Sequence, residues 1–321
     1  MSSSSSPHIA VLLDEVVQTF ANSGQEGKNG YIVDCTLGFG SHTQALLESN
    51  PNIKMICIDQ DSDALAYSKE KLAPYADRVT FLQRNFSNIK DVLEDYPVVG
   101  ILADIGVSSY QLDNEVRGFG FTSNTLDMRM NQQATLSAHE VIHSYSLEEL
   151  ERIFRDYGEI KSYKKVAKII IDERSKSDIK SNYELSDLLY KNMGYMKKTL
   201  HPATLVFQAI RIEVNKELEV LSELLQAIEQ CQKQEAKIAI ISFHSLEDKI
   251  VKDHFRNWSK ACICGSDVIR CVCGNNHKKG EVITKKPITP TQAEIKTNPR
   301  SRSSKMRVFH FGKINQKYAK Q

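Results

Sequence analysis

Continuous apolar runs rich in β-branched residues alternate with helical patterns through the first hundred residues. "GYIVDC", "IKMICID", "RVTFLQ" and "VVGILADI" are apolar at successive positions, as strands are when helices cover both faces of a sheet. Between them, "TQALLESN" and "DALAYSKEKLAPYA" carry a helical period. This alternation predicts βαβ units and a parallel sheet. After Asp104 a Gly/Ser/Asn-rich loop intervenes, and helical patterns alone follow. Ser137 with Glu140 and Ser146 with Glu149 have capping-box spacing, and the second helix stops at Gly158. Helical patterns continue in "YKKVAKIIIDERSK" and "SNYELSDLLYKNM". From Ala203 to Gln230, apolar residues at steps of three and four predict one long amphipathic helix. "KIAIISFHS" then reads as a strand, "SLEDKIVKDHFRNW" as a helix capped by Ser245, and "KMRVFHF" as a closing edge strand. The fold class is α/β, a Rossmann-like sheet domain over 1–129 and 201–321 with an all-helical domain inserted at 130–200. The sheet alone makes a complete cofactor-binding half, so the insertion is expected to handle substrate.

Composition narrows the class. The 321 residues are 41% hydrophobic and 26% charged with net charge +2, near globular averages. No apolar run approaches the ~20 residues of a membrane span, and "MSSSSSPHIA" lacks the pattern of a secretory signal. Ser2–Ser6 reads as a loose terminus. Seven cysteines, an odd number, without an export signal suit a reducing cytoplasm. The charge is uneven, because Lys296–Gln321 holds eight Lys or Arg and no acid. That tail either contacts phosphate or is simply solvated.

The chemistry begins in "VDCTLGFGSHT", where the first strand breaks into two glycines. A glycine turn opening a helix lets backbone N–H groups approach a ligand. The dinucleotide fingerprint would need a glycine where Thr43 stands, and no Gly-Lys-Ser/Thr of a Walker loop occurs. Asp59 ends the second strand, 21 residues beyond Gly38, where an acid accepts hydrogen bonds from ribose hydroxyls. Asp61 and Ser62 better suit the start of the next helix. The turn and Asp59 favour an adenosine cofactor without a pyrophosphate, for which S-adenosylmethionine is the candidate.

The loop "ADIGVSSYQLDNEVRGFGFTSNTLDMRMN" goes beyond a generic pattern. With "PHIAVLLDEVV", "DCTLGFGSHT", "IDQDSDAL", "HPATLVFQAIRIEVNKEL", "ISFHSLEDKIVK" and "NPRSRSSKMRV", it resembles the bacterial ribosomal RNA small subunit methyltransferase H family. The resemblance implies a class I methyltransferase sheet and S-adenosylmethionine-dependent methylation of cytidine N4 in the decoding centre of 16S rRNA. It implies a cytoplasmic enzyme acting on the 30S subunit, with no membrane or DNA partner, and is compatible with a homodimer. The cofactor site it implies falls on Gly40, Ser41, His42, Asp59, Phe86, Asp104 and Gln111. Asp104 is the catalytic candidate, either polarising the base amine or binding the methionine amine. The chain departs from the family at Ser41, usually glycine, and at Leu205, commonly arginine.

Tyr110, Phe119 and Phe121 are candidates to stack on an unstacked base. Arg117, Arg129, Arg211, Lys249, Arg300, Arg302, Lys305 and Arg307 are candidates for phosphate contacts. His201 and His244 precede helices and suit capping, with a substrate-side role open for His244. No metal ligand is assigned to the site. Cys262, Cys264, Cys271 and Cys273 form two C-x-C pairs, left open between zinc and a loop of reduced thiols, since zinc knuckles more often use C-x₂₋₄-C.

Overall fold

The computed structural model describes residues 10–23, 30–193, 201, 203–232, 234–265, 268 and 270–312. Ser2–Ser6, the start of "PHIAVLLDEVV", Pro202, and Lys313, Lys317 and Lys320 of the basic tail lie outside these residues. The chain divides into two compact units, Met1–Gly106 with Val220–Gln321, and Val107–Glu219.

In the first unit the strands are β1 (Tyr31–Asp34), β2 (Lys54–Asp59), β3 (Val79–Gln83), β4 (Val98–Asp104), β5 (Ala236–Ser242), β6 (Gly280–Val282) and β7 (Lys305–Phe311). They form one sheet in the order β3-β2-β1-β4-β5-β7-β6. β1 to β5 pair in parallel, with Val33 beside Ile56 on one side and Ile101 on the other. The expected parallel sheet is present, with two antiparallel strands added at one side. The successive apolar residues of each strand serve two cores. Val33, Ile56, Ile101 and Ile238 pack under Leu221, Leu225 and Trp258, whereas Ile32, Met55, Leu102 and Ile241 pack with Phe20, Leu46 and Leu47.

"KMRVFHF" is a strand but not the edge. β7 pairs along its whole length with β5 and on its other side with β6. Met306 to Phe309 are all buried, so both faces are covered.

The second unit is all helical, with helices at Ala138–Ser144, Leu147–Asp156, Tyr163–Arg174, Asn182–Met193 and Ala203–Asn215. Both expected capping boxes form, at Ser137 with Glu140 and Ser146 with Glu149. The unit is wider than the 130–200 read from the pattern. Phe119, Leu126 and Met128 of the preceding loop, and Val206, Phe207 and Ile210 after it, complete its core. The long helix expected from Ala203 to Gln230 is two, Ala203–Asn215 and Glu217–Cys231, broken at Lys216 with φ of 51°. Asn215 holds the break: its amide donates to the carbonyls of Met128 and Arg211 at 2.8 and 2.9 Å, and its oxygen accepts from Met130 N–H at 2.8 Å. Periodicity continued across Lys216 because each half carries an apolar stripe, but the stripes fill different cores. No helix of the described residues is long and apolar enough to cross a membrane.

Candidate active site

The chain runs outward from β1 through β2 to β3 and then returns to place β4 against β1. This reversal is the topological switch point where open α/β sheets take ligands, beyond the carboxyl ends of the strands. The glycine turn follows β1 and Asp104 ends β4, so both flank it.

Asp34 anchors the turn. Its buried carboxylate accepts from Thr36 N–H at 3.2 Å and from the Thr43 hydroxyl at 2.7 Å, tying the strand end to the helix Ser41–Ser49. Burial pushes its carboxyl above the usual range, opposed by the Thr43 hydrogen bond. Gly38 and Gly40 have φ of 51° and 68°, and a Cβ on Gly40 would meet Ser68 Oγ and Leu72 Cδ1 at 3.2 Å. Conformation disfavours a side chain at both positions, and at Gly40 the space is tight as well. The helix Ser62–Lys71 braces the turn from outside: Ser68 donates to Gly38 O at 2.7 Å, and Lys71 Nζ to Phe39 O at 3.1 Å.

Lys71 Nζ also donates to Ser41 Oγ at 3.0 Å. Ser41 thus adds a tie between the turn and its neighbouring helix. Ser41→Gly is expected to lower stability by about 0.5–1.5 kcal/mol, the worth of one such hydrogen bond, read as a shift of the urea midpoint.

Asp59 lies beside this turn. Gly38 N–H donates to Asp59 Oδ2 at 2.8 Å and Asp61 N–H to Oδ1 at 2.9 Å. Burial pushes its carboxyl up to about 6, with those two backbone bonds pulling the other way. Asp61 is the helix cap, accepting from Asp63 N–H, which separates the two acids' roles as expected. Phe86 follows β3 in a short 3-10 turn, half-buried against the sheet core, and Asn85 beside it donates to Gln60 at 3.0 Å.

Asp104 Oδ2 stands 4.0 Å from His42 Nδ1. His42 Nε2 lies 2.9 Å from Val11 O, which only accepts, so Nε2 carries a proton and Nδ1 is the face toward Asp104. Asp104 N–H donates to Thr36 Oγ1 at 2.7 Å. Gly106, whose Cβ would meet the Phe243 ring at 2.4 Å, gives the Asp104 carboxyl a backbone N–H. Burial pushes that carboxyl up to about 6, against the attraction of His42. Asp104 Oδ1 is buried without a hydrogen-bond partner. A buried carboxylate oxygen left unpaired is costly, and its position at the switch point makes it a candidate acceptor for a ligand.

The turn, Asp59, His42 and Asp104 are therefore brought together at the ends of β1, β2 and β4. Gln111 is not described with them. It belongs to the second unit, where its side-chain oxygen accepts from Ser108 N–H at 3.1 Å in a capping box opening the helix Ser109–Asp113. Sequence reading missed Asp34, Thr36, Ser68 and Lys71. The D-x-T of Asp34 and Thr36 at a strand end was a usable clue, but nothing local pointed to Ser68 or Lys71.

Several candidate RNA contacts are engaged internally. Arg307 is buried and forms a bidentate pair with Asp248 at 2.6 and 3.0 Å, with Lys305 at 3.9 Å from the same acid. Arg211 forms a bidentate pair with Glu217 at 2.8 and 3.0 Å, and Arg129 pairs with Asp127 at 2.7 Å. Arg117 is buried and donates to the carbonyls of Arg129 and Met130. Lys249, Arg300 and Arg302 are exposed. Phe119 is buried in the helical core and offers no face to a base, whereas Tyr110 and Phe121 are exposed. His201 Nδ1 accepts from Ala203 N–H at 3.2 Å, a cap, and its ring stacks on Phe121 and Tyr190. His244, not Ser245, caps its helix, through a capping box with Glu247.

Residues 5–312 match the MraW methylase family. A protein of Aliarcobacter butzleri named ribosomal RNA small subunit methyltransferase H is 56% identical over 305 residues, 95% of this chain and 99% of the relative. The protein of the same name from Campylobacter jejuni (strain RM1221) is 49% identical over 312 residues, 97% of this chain and 99% of the relative. Among solved structures, an rRNA methylase from Streptococcus thermophilus aligns with a TM-score of 0.42 at 9% identity, covering 95% of this chain and 99% of that one. The match over nearly the whole length, with the relatives' identities, places this chain in the MraW methylase family of methyltransferases.

Proposed function

We propose that this chain methylates 16S ribosomal RNA of the small subunit, on N4 of a cytidine in the decoding centre, using S-adenosylmethionine. The observation that carries the reading is the unpartnered Asp104 Oδ1 at the switch point, in a family member whose relatives are named for small-subunit rRNA. Gly40, Ser41, His42, Asp59, Phe86 and Asp104 would hold the cofactor, whose sulfonium supplies an electrophilic methyl group. The turn offers backbone N–H groups suited to a carboxylate, and Asp59 offers carboxylate lone pairs suited to ribose hydroxyls. The lone pair of cytosine N4 is delocalised into the ring. Asp104 assists by accepting from an amine, either the base's N4–H as attack proceeds or the methionine ammonium, which it would orient. The helical unit is the substrate-recognition element in this reading, with the partly exposed Tyr110 and Phe121 as candidates to stack on a base.

Labelled-methyl transfer tests it, with 30S subunits, free 16S rRNA and duplex DNA as acceptors. Label recovered as N4-methylcytidine at one decoding-centre position supports the reading. Label on another base or only on DNA overturns it, and so does cofactor binding without transfer to any of the three. Because Arg302 is exposed and Arg211 is paired, Arg302→Ala is expected to reduce the salt slope of RNA binding by about one, whereas Arg211→Ala leaves it unchanged. Filter binding over a salt series measures this.

A further inference from the structure

The chain between the helix Ser245–Trp258 and β6 carries four cysteines that have no part in the site above. Their sulfurs all lie within 4.8 Å of one another. Cys262 to Cys271 and Cys271 to Cys273 are 3.6 Å apart, and Cys262 to Cys273 is 3.7 Å. These separations are far beyond a disulfide bond of ~2.05 Å. They match the edge of a tetrahedron, since four Zn–S bonds of ~2.3 Å put neighbouring sulfurs ~3.8 Å apart.

Hydrophobic burial does not explain the convergence. Ile263 and Val272, the central residues of the two C-x-C pairs, are 60% and 81% exposed. None of the described residues of this loop is a buried apolar side chain, so the gathered thiols need another source of order. The backbone is arranged around the sulfurs. Gly274 and Asn275 have φ of 83° and 55°, turning the chain just after Cys273. Ile263 N–H donates to Cys273 Sγ at 3.4 Å. Such N–H···S bonds favour the thiolate that a metal requires. Further out, His277 Nε2 donates to Cys273 O at 2.8 Å and His277 N–H to Ala261 O at 3.0 Å. The x-residue spacing that argues against a knuckle matters less when both pairs contribute to one cluster.

We propose that Cys262, Cys264, Cys271 and Cys273 bind one zinc ion as a structural Cys₄ site that holds this loop. Soft thiolates in a four-sulfur set select zinc over hard divalent cations. Binding displaces the thiol protons to solvent, and no electrons are exchanged. Lys260 and Arg270 add positive charge in the same stretch, whereas Lys278 and Lys279 pair with Glu281 and Glu229 at 3.2 Å.

The test uses the full-length chain purified without chelators. Elemental analysis is expected to give about one zinc per chain, released when a thiol-capping organomercurial is added. Exchange with cobalt is expected to give the intense visible bands and thiolate charge-transfer band of a tetrahedral sulfur site. Changing all four cysteines to serine is expected to reduce zinc below ~0.1 equivalent, while Cys231→Ser, outside the cluster, keeps it. Should the fourfold variant fail to fold, wild-type metal content and the cobalt spectrum decide. Zinc below ~0.1 equivalent in wild type after growth in zinc-replete medium, iron in place of zinc, an octahedral cobalt spectrum, or zinc retained in the fourfold variant overturns the site.

Discussion

Asp104→Ala is expected to reduce methyl transfer about 10³-fold, within the range that a positioned acid–base group contributes. The substitution removes the unpartnered acceptor at the switch point and the charge that faces His42. Steady-state kinetics on 30S subunits separate its two roles. A fall in kcat with unchanged cofactor KM assigns Asp104 to the base amine, and a rise in cofactor KM assigns it to the methionine ammonium. A near-normal rate would remove it from the reaction.

The pH dependence provides an independent readout. Burial raises the Asp104 carboxyl from 3.8 to about 6, so the native chain holds this proton at pH values where the unfolded chain has lost it. Stability from this group therefore falls as pH rises between those two values, and its cost is fully present above about 6. Activity that needs the carboxylate runs the opposite way, rising as pH passes upward through about 6. Asp104→Asn removes the charge, so it is expected to be inactive yet more stable than wild type at neutral pH, with the gap narrowing as pH falls. Chemical denaturation at several pH values measures this, and an inactive variant that is also less stable at neutral pH would indicate structural damage.

Asp59→Ala is expected to weaken S-adenosylmethionine binding by about 10²-fold or more. Two effects combine. The ribose would lose a charged acceptor, worth about 1.5–3 kcal/mol, and Gly38 and Asp61 would lose the carboxylate that accepts their N–H groups. Gly38 lies in the turn, so loss of that bond would also disturb the backbone N–H groups offered there. Calorimetric titration measures the affinity; an unchanged Kd would remove Asp59 from the ribose. Asp59→Asn keeps an acceptor oxygen but sets an NH₂ group against one of the two donors, so an intermediate loss is expected.

Most of the sheet could be read from the chain because its information is local. A strand buried on both faces must be apolar at successive positions, as Ile56, Cys57 and Ile58 are, and a capping box needs only two residues three apart, as Ser146 and Glu149 are. The positions of Asp59 and Asp104 were equally local, since each ends an apolar run. The family resemblance rested on residue order alone.

Tertiary structure decided which of those residues had partners. Arg211, Arg302 and Arg307 are alike in sequence, yet Glu217 and Asp248 neutralise two of them. Lys71 meets Ser41 from 30 residues away, and no period predicts such an encounter. The break at Lys216 is invisible to periodicity, because a helical stripe looks the same whether it fills one core or two. The cysteine spacing left zinc open, whereas only the fold brings the four sulfurs within 4.8 Å of one another, the separation on which the proposed site rests. By itself the sequence determined the elements, the sheet class and the acids at the strand ends, because those follow from neighbours along the chain. Pairing, charge neutralisation and the gathering of distant side chains depend on neighbours in space, which only the folded structure supplies.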